Sequence, residues 1–207
     1  MRPWDIFSEI IREPWNTSGD DVQWRTIIAS GRPVLAFQGS RSARDWTNNF
    51  AFAVKPYRNQ VGEFRVHKGY ARAWKSCNDD VMDNFTALCR LVEARPIITG
   101  HSYGGAVAVL AAEDFRFRTG IRPEVVTFGA PKVLWGKASV RHLLDCANFD
   151  CYVQRNDVVP LLPPIPGYAH PDKTPIGRRF NFFGLFDVGN HQKYGKENVD
   201  DYPAYCG

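Results

Sequence analysis

Residues Ile98–Asp114 read ITGHSYGGAVAVLAAED, an apolar run that passes through a glycine-flanked serine into an alanine-rich stretch. Pro96 to Thr99 has the length and boundaries of a buried strand, and from Gly104 to about Phe117 the spacing is helical. Between them, Gly100-His101-Ser102-Tyr103-Gly104 matches G-x-S-x-G, a strand-to-helix turn that presents a serine on strained backbone at the end of a strand. Glycines suit the flanking positions because a Cβ at either would run into the adjoining strand or helix. The five-residue pattern alone recurs by chance. Its setting between a strand and a helix makes Ser102 the candidate nucleophile.

Working outward, Val34–Phe37 is a short apolar strand closed by Gln38-Gly39-Ser40, and Val125–Phe128 and Cys151–Gln154 read as two more strands. Asn78 or Asp79 is placed to cap a helix reaching about Ala94, with Pro96 ending it. Near the start, Trp4, Phe7, Ile10 and Ile11 fit a helix packed on the domain. Apolar strands that alternate with helices, without clean polar alternation, predict an α/β fold with a mostly parallel central sheet and helices on both faces. The 207 residues suit a single domain over 1–207. Functional loops in such a sheet gather at the C-terminal strand ends, where Ser40, Ser102, Gly129-Ala130-Pro131 and Asp157 all fall.

The chain is 44% hydrophobic and 23% charged. No apolar run nears the roughly 20 residues of a membrane-spanning helix, so the reading is globular and soluble. The net charge of +4 is spread along the chain, which argues against nucleic acid as a partner. The segment MRPWDIFSEIIREPW carries acidic residues and prolines where a secretory signal has an apolar core; a cytoplasmic location is expected, with export by another route left open. Five cysteines without a C-x-x-C pair argue against both a zinc site and a complete disulfide framework, so no metal is expected.

A serine hydroxyl needs a base, and that base needs an orienting carboxylate. Of the five histidines, His101 precedes the nucleophile and should point away from it, His67 suits a structural hydrogen bond, and His142 lies on a surface helix. His191, late in the chain in a glycine- and asparagine-containing loop, is favoured as base, with His170 the alternative. Asp157, just after the strand CYVQ and held by the proline-rich VVPLLPP, is favoured as acid over Asp145, Asp150 and Asp187. The backbone N–H of Tyr103 and the main chain or hydroxyl of Ser40 are the candidate oxyanion donors.

Together these residues resemble the class 3, or fungal-type, lipases of the α/β-hydrolase fold. GHSYGG looks like their nucleophile motif, TFGAPKV like the strand and turn that follow, and RNDVVPLLPP like the segment carrying their acid. FQGSRSARDW looks like their oxyanion loop, VHKGY like a motif ahead of a helix, and NHQKYG like their histidine segment with its nearby tyrosine. The resemblance runs from about Val34 to Tyr194. It implies a Ser102-Asp157-His191 triad, an oxyanion hole at Ser40 and Tyr103, and hydrolysis of an ester or lipid substrate without cofactor. Departures are Gln38 and Lys132 in place of arginines, Tyr103 in place of leucine, and Asn49 in place of an acidic residue.

In this family the segment after the oxyanion residue forms a lid. Here Arg41–Asn49 reads RSARDWTNN, with Trp46 its one large apolar residue, so contact with a lipid surface is expected to be transient and the preferred esters short or soluble. No stable partner is implied. Other readings are a non-catalytic lipid- or partner-binding module, a phospholipase, or an esterase acting on polysaccharide esters.

Overall fold

The computed structural model describes residues 3–10, 12, 14–39, 53–58, 63–155, 157–176 and 194. Its elements in chain order are α1 (Pro3–Ile10), β1 (Asn16–Ser18), β2 (Val22–Ala29), β3 (Arg32–Phe37), β4 (Val54–Arg58), β5 (Glu63–His67), α2 (Lys68–Cys89), β6 (Ile97–His101), α3 (Tyr103–Thr119), β7 (Glu124–Phe128), β8 (Leu134–Trp135), α4 (Gly136–Cys146), β9 (Asn148–Gln154), a 3₁₀ turn (Val159–Leu161), β10 (Tyr168–Ala169) and β11 (Thr174–Ile176).

Seven strands form one sheet in the order β1-β2-β3-β6-β7-β9-β11. The first two pairings are antiparallel and the rest parallel. Phe37 lies opposite Gly100, Gly100 opposite Thr127, and Phe128 opposite Tyr152, so the C-terminal ends of β3, β6, β7 and β9 share one edge. A smaller antiparallel sheet, β10-β8-β5-β4, stands beside it.

The central parallel strands β3, β6 and β7 are buried nearly throughout because both faces are covered. Leu35, Phe37, Ile98, Val125 and Cys151 share a core with α2, α3 and α4. Val34, Ala36, Ile97, Val126 and Phe128 form a second core with Ile6 and Phe7 of α1 and with Tyr194. Helices therefore lie on both faces, unequally. α3 is buried without a break from Gly104 to Phe115 and so shows no amphipathic stripe. Its alanines let sheet and flanking helices approach closely.

The main departure from the sequence reading is α2. It begins at Lys68, not near Asn78, because Tyr70, Trp74, Cys77, Val81 and Phe85 carry one buried stripe at helical spacing through both halves. The cap is His67, whose Nδ1 accepts from the Gly69 N–H at 3.1 Å. Asn78 and Asp79 sit mid-helix and tie α2 to α3. Asn78 donates to Asp114 at 3.2 Å, and the Arg118 guanidinium bridges Asp79 at 2.6 Å and Asp114 at 2.9 Å. Of the cysteines, the four described are all free.

Leu110 on α3 is fully buried between sheet and helices, whereas Leu91 after α2 is 76% exposed. Chemical denaturation should show Leu110→Ala less stable by about 2–5 kcal/mol and Leu91→Ala changed by no more than about 0.5 kcal/mol.

Candidate active site

Strand β6 delivers Ser102 into a turn whose backbone is φ 55°, ψ −126°, a strained region for a residue with a side chain. Such conformations cost about 1–3 kcal/mol and persist where the surroundings over-determine them. Here they do. The Ser102 N–H donates to the Phe128 carbonyl at 2.9 Å, and its own carbonyl accepts from Gly105 at 3.0 Å and Ala106 at 3.3 Å. A Cβ on Gly100 would overlap the Gly104 carbonyl, and one on Gly104 would overlap the Phe37 carbonyl, so only glycine fits either place.

Tyr103 opens α3, in the first turn where helix N–H groups lack intrahelical acceptors and the helix dipole favours negative charge. Its ring packs against Tyr70 at a centroid distance of 5.8 Å. The end of β3 runs against the elbow, such that a Cβ built on Gly39 would lie 3.2 Å from the His101 carbonyl oxygen and 3.3 Å from the Ser102 Cβ. Ser40, the next residue, lies outside the described residues, as do Trp46 and His191.

Asp157 follows β9 at the same sheet edge and is only 3% exposed. One carboxylate oxygen, Oδ1, accepts from the Val159 N–H at 2.9 Å at the start of the 3₁₀ turn. The other, Oδ2, accepts from the Tyr194 hydroxyl at 2.7 Å. That hydroxyl in turn accepts from the Gln154 N–H at 2.8 Å. The fully buried Tyr194 ring is seated among Phe7, His101 and Phe128. Asp157 is thereby fixed from the strand before it, the turn after it and a distant segment.

The other titratable candidates among the described residues are placed elsewhere, and Asp187 lies outside the described residues. His170, the alternative base, donates Nε2–H to the Pro160 carbonyl at 2.9 Å, and burial pushes its pKa down to about 4. His67 caps α2 and burial likewise lowers it to about 4. His101 turns its ring toward Phe7 at 5.8 Å, on the α1 face. Asp145 is exposed on α4. Asp150 lies inside β9 opposite Val126, whereas the sequence reading places it ahead of the strand. Lys132 takes part in holding the loop after Asp157, its N–H donating to Leu162 O at 2.7 Å and its ammonium to Pro163 O at 3.2 Å.

With that geometry in view, a family model described as Lipase (class 3) matches residues 34–167. The chain belongs to the class 3 lipase family. A Fusarium solani relative, secreted mono- and diacylglycerol lipase 1, is 34% identical over 145 residues, covering 66% of this chain and 41% of its own. The chain thus spans about two-fifths of that relative's length. Among solved structures, the lipase of Rhizopus microsporus var. chinensis superposes with TM-score 0.77 at 22% identity over 89% of this chain and 73% of that one. A triacylglycerol lipase whose catalytic centre is formed by a serine protease triad superposes with TM-score 0.71 at 24% identity, over 80% of this chain and 66% of that one. These likenesses establish the α/β-hydrolase fold for this class 3 lipase chain. The Fusarium solani relative is a secreted lipase, which overturns the cytoplasmic location expected from the sequence.

Two residues of the site escaped the sequence reading. Tyr194 was visible in NHQKYG only as a neighbour of the histidine, and nothing local announces a bond to a residue 37 positions earlier. Lys132 registered as a departure from arginine rather than as a tether for the Leu162–Pro163 backbone.

Tyr194→Phe removes the acceptor of the Gln154 N–H and a donor to Asp157 in a buried place. It should destabilise the protein by about 1–3 kcal/mol in chemical denaturation. For His67 and His170 the folded pKa is about 4 and the unfolded value about 6.5. Between these values the unfolded chain binds more protons, so stability is fully present above about pH 6.5 and is lost as pH falls toward about 4. Urea midpoints measured across that window should fall, and the fall should be shallower in His67→Gln combined with His170→Gln.

Proposed function

We propose that this chain is a serine carboxylic-ester hydrolase that works through an acyl-enzyme, with Ser102 as nucleophile, His191 as general base and Asp157 as the orienting acid. The observation that carries the proposal is the strained Ser102 backbone at the C-terminal edge of the parallel sheet, directly before the N-terminus of a 17-residue helix. Ser102 pairs φ 55° with ψ −126°, outside the left-handed helical region that an ordinary turn residue adopts.

In the reaction the Ser102 Oγ attacks the ester carbonyl carbon while its proton passes to His191. The negative charge on the former carbonyl oxygen is met by the N–H of Tyr103 and by Ser40. Collapse of the tetrahedral intermediate breaks the bond to the alkoxy oxygen, which leaves as the alcohol with the proton from His191. Water, deprotonated by the same histidine, then attacks the acyl carbon, releasing the carboxylic acid and restoring Ser102. Asp157, buried and held on both oxygens, keeps the imidazole in the tautomer that accepts the serine proton.

The Fusarium solani relative, a secreted mono- and diacylglycerol lipase, supports mono- and diacylglycerols as substrates and an extracellular site of action. The structurally similar triacylglycerol lipase, with its serine protease triad, supports a triad here. Trp46 is proposed to line the substrate entrance and to give only transient contact with a lipid surface.

The test is hydrolysis of a p-nitrophenyl acyl ester together with labelling by a fluorophosphonate. Wild-type chain should turn over the ester and be labelled at Ser102. Ser102→Ala should lose both while its circular dichroism is unchanged, a loss on the order of 10⁶-fold in kcat. Hydrolysis that persists in Ser102→Ala removes the nucleophile assignment, and wild-type chain that is never labelled points to a non-catalytic binding module.

A further inference from the structure

The cysteine spacing in the sequence predicts no zinc site, yet folding brings three dissimilar ligands together where α3 meets α4. We infer that Glu113, His142 and Cys146 form a binding site for a divalent transition-metal ion of the zinc type. Their ligand atoms all lie within 4.8 Å of one another. Glu113 Oε1 is 3.0 Å from His142 Nε2, and Cys146 Sγ is 3.9 Å from the same nitrogen.

Those separations are close to the edges of a zinc tetrahedron. With metal–oxygen and metal–nitrogen bonds of about 2.0 Å and a metal–sulfur bond of about 2.3 Å, tetrahedral angles put oxygen about 3.3 Å and sulfur about 3.5 Å from the nitrogen. Shifts of a few tenths of an ångström bring both of these pairs onto those edges, and the Glu113–Cys146 pair closes from within 4.8 Å. His142 and Cys146 are four residues apart on α4 and so share a helix face. Glu113 meets them from α3.

The surroundings are built to hold the ligands. Glu113 is 2% exposed, and a carboxylate so deeply buried is stabilised by a positive charge beside it. His142 Nε2 stands 3.0 Å from that carboxylate, and a divalent ion between them supplies the charge. The Phe64 ring lies 4.7 Å from that of His142 and fixes the imidazole plane. Arg122 donates to the Leu144 carbonyl at 2.6 Å and the Ala147 carbonyl at 3.4 Å, anchoring the end of α4 that carries Cys146. His142 and Cys146 are partly exposed, so an ion enters from solvent and water fills the fourth position.

A thiolate, an imidazole and a carboxylate favour zinc or cobalt over calcium or magnesium, which take oxygen ligands. The site lies about 16 Å along the α3 axis from Ser102, at about 1.5 Å per residue. It is therefore separate from the proposed ester chemistry and does not depend on that reading. Its consequence is a metal cross-link between α3 and α4, two helices already joined by the Glu113–His142 hydrogen bond.

The experiment uses the full chain, freed of metal with a chelator and titrated with Co(II). One equivalent should bind with the visible absorption of tetrahedral cobalt and a near-ultraviolet thiolate charge-transfer band, and Zn(II) should displace it. Cys146→Ser should lose the charge-transfer band and bind about tenfold more weakly or worse. Cys89→Ser, altering a partly buried thiol on α2, should leave both unchanged. His142→Gln provides a second ligand deletion should Cys146→Ser fail to keep its circular dichroism. Absence of cobalt binding in the wild-type chain, or a charge-transfer band that survives loss of Cys146, overturns the site.

Discussion

The close approach of β6 to the start of α3 is the constraint on which the rest of this molecule depends. Gly100 and Gly104 remove the two Cβ atoms that would collide there, letting the helix start directly over the strand end. Ser102 has to adopt positive φ to make that connection, and the bond from its N–H to the Phe128 carbonyl couples the turn to the neighbouring strand β7. Strain in one residue is in this way sustained by a sheet and a buried helix. Loops alone could not maintain it.

The surroundings of Asp157 follow different physics. This carboxylate depends on hydrogen bonds rather than on steric exclusion, and these come from three places: Val159 just ahead of it, Tyr194 far along the chain, and Gln154 through the Tyr194 hydroxyl. A buried carboxylate oxygen without such a donor would lose the hydrogen bonds that water gives it and gain none in return. The proline-rich stretch after it, tethered by Lys132, keeps the short turn in register.

Much of this was legible in the sequence where local signals and tertiary demands agree. The strands around Val34–Phe37, Pro96–Thr99 and Val125–Phe128 are apolar on both sides because they are covered on both faces, and the helix after Ser102 announces itself by composition. Elements were lost where signals conflicted. Asn78 and Asp79 carry the chemistry of a cap, but a stripe from Tyr70 to Phe85 continues through them, and burial outweighed local preference. The antiparallel strands β1 and β2 and the two- and three-residue strands β8, β10 and β11 are too short or too mixed to stand out by period. Of the candidate site, the places of Ser102 and Asp157 could be read because each follows a strand. That of Tyr194 could not, because its bonds exist only once distant segments have met.

The second, smaller core has a consequence for how the fold comes apart. Phe7 and Tyr194 stand near opposite extremes of the numbering, yet both pack on Phe128, with ring centroids 5.0 Å and 6.3 Å away. Bringing such distant residues together carries a larger loop-closure entropy cost than the contacts between nearer neighbours in the α2–α4 layer. The two segments act as a clasp, and the same tyrosine that closes it also holds Asp157. Losing the Tyr194 contact would take from the proposed acid the hydroxyl bond that complements the Val159 N–H, so that competence for chemistry reports on whether the clasp is shut.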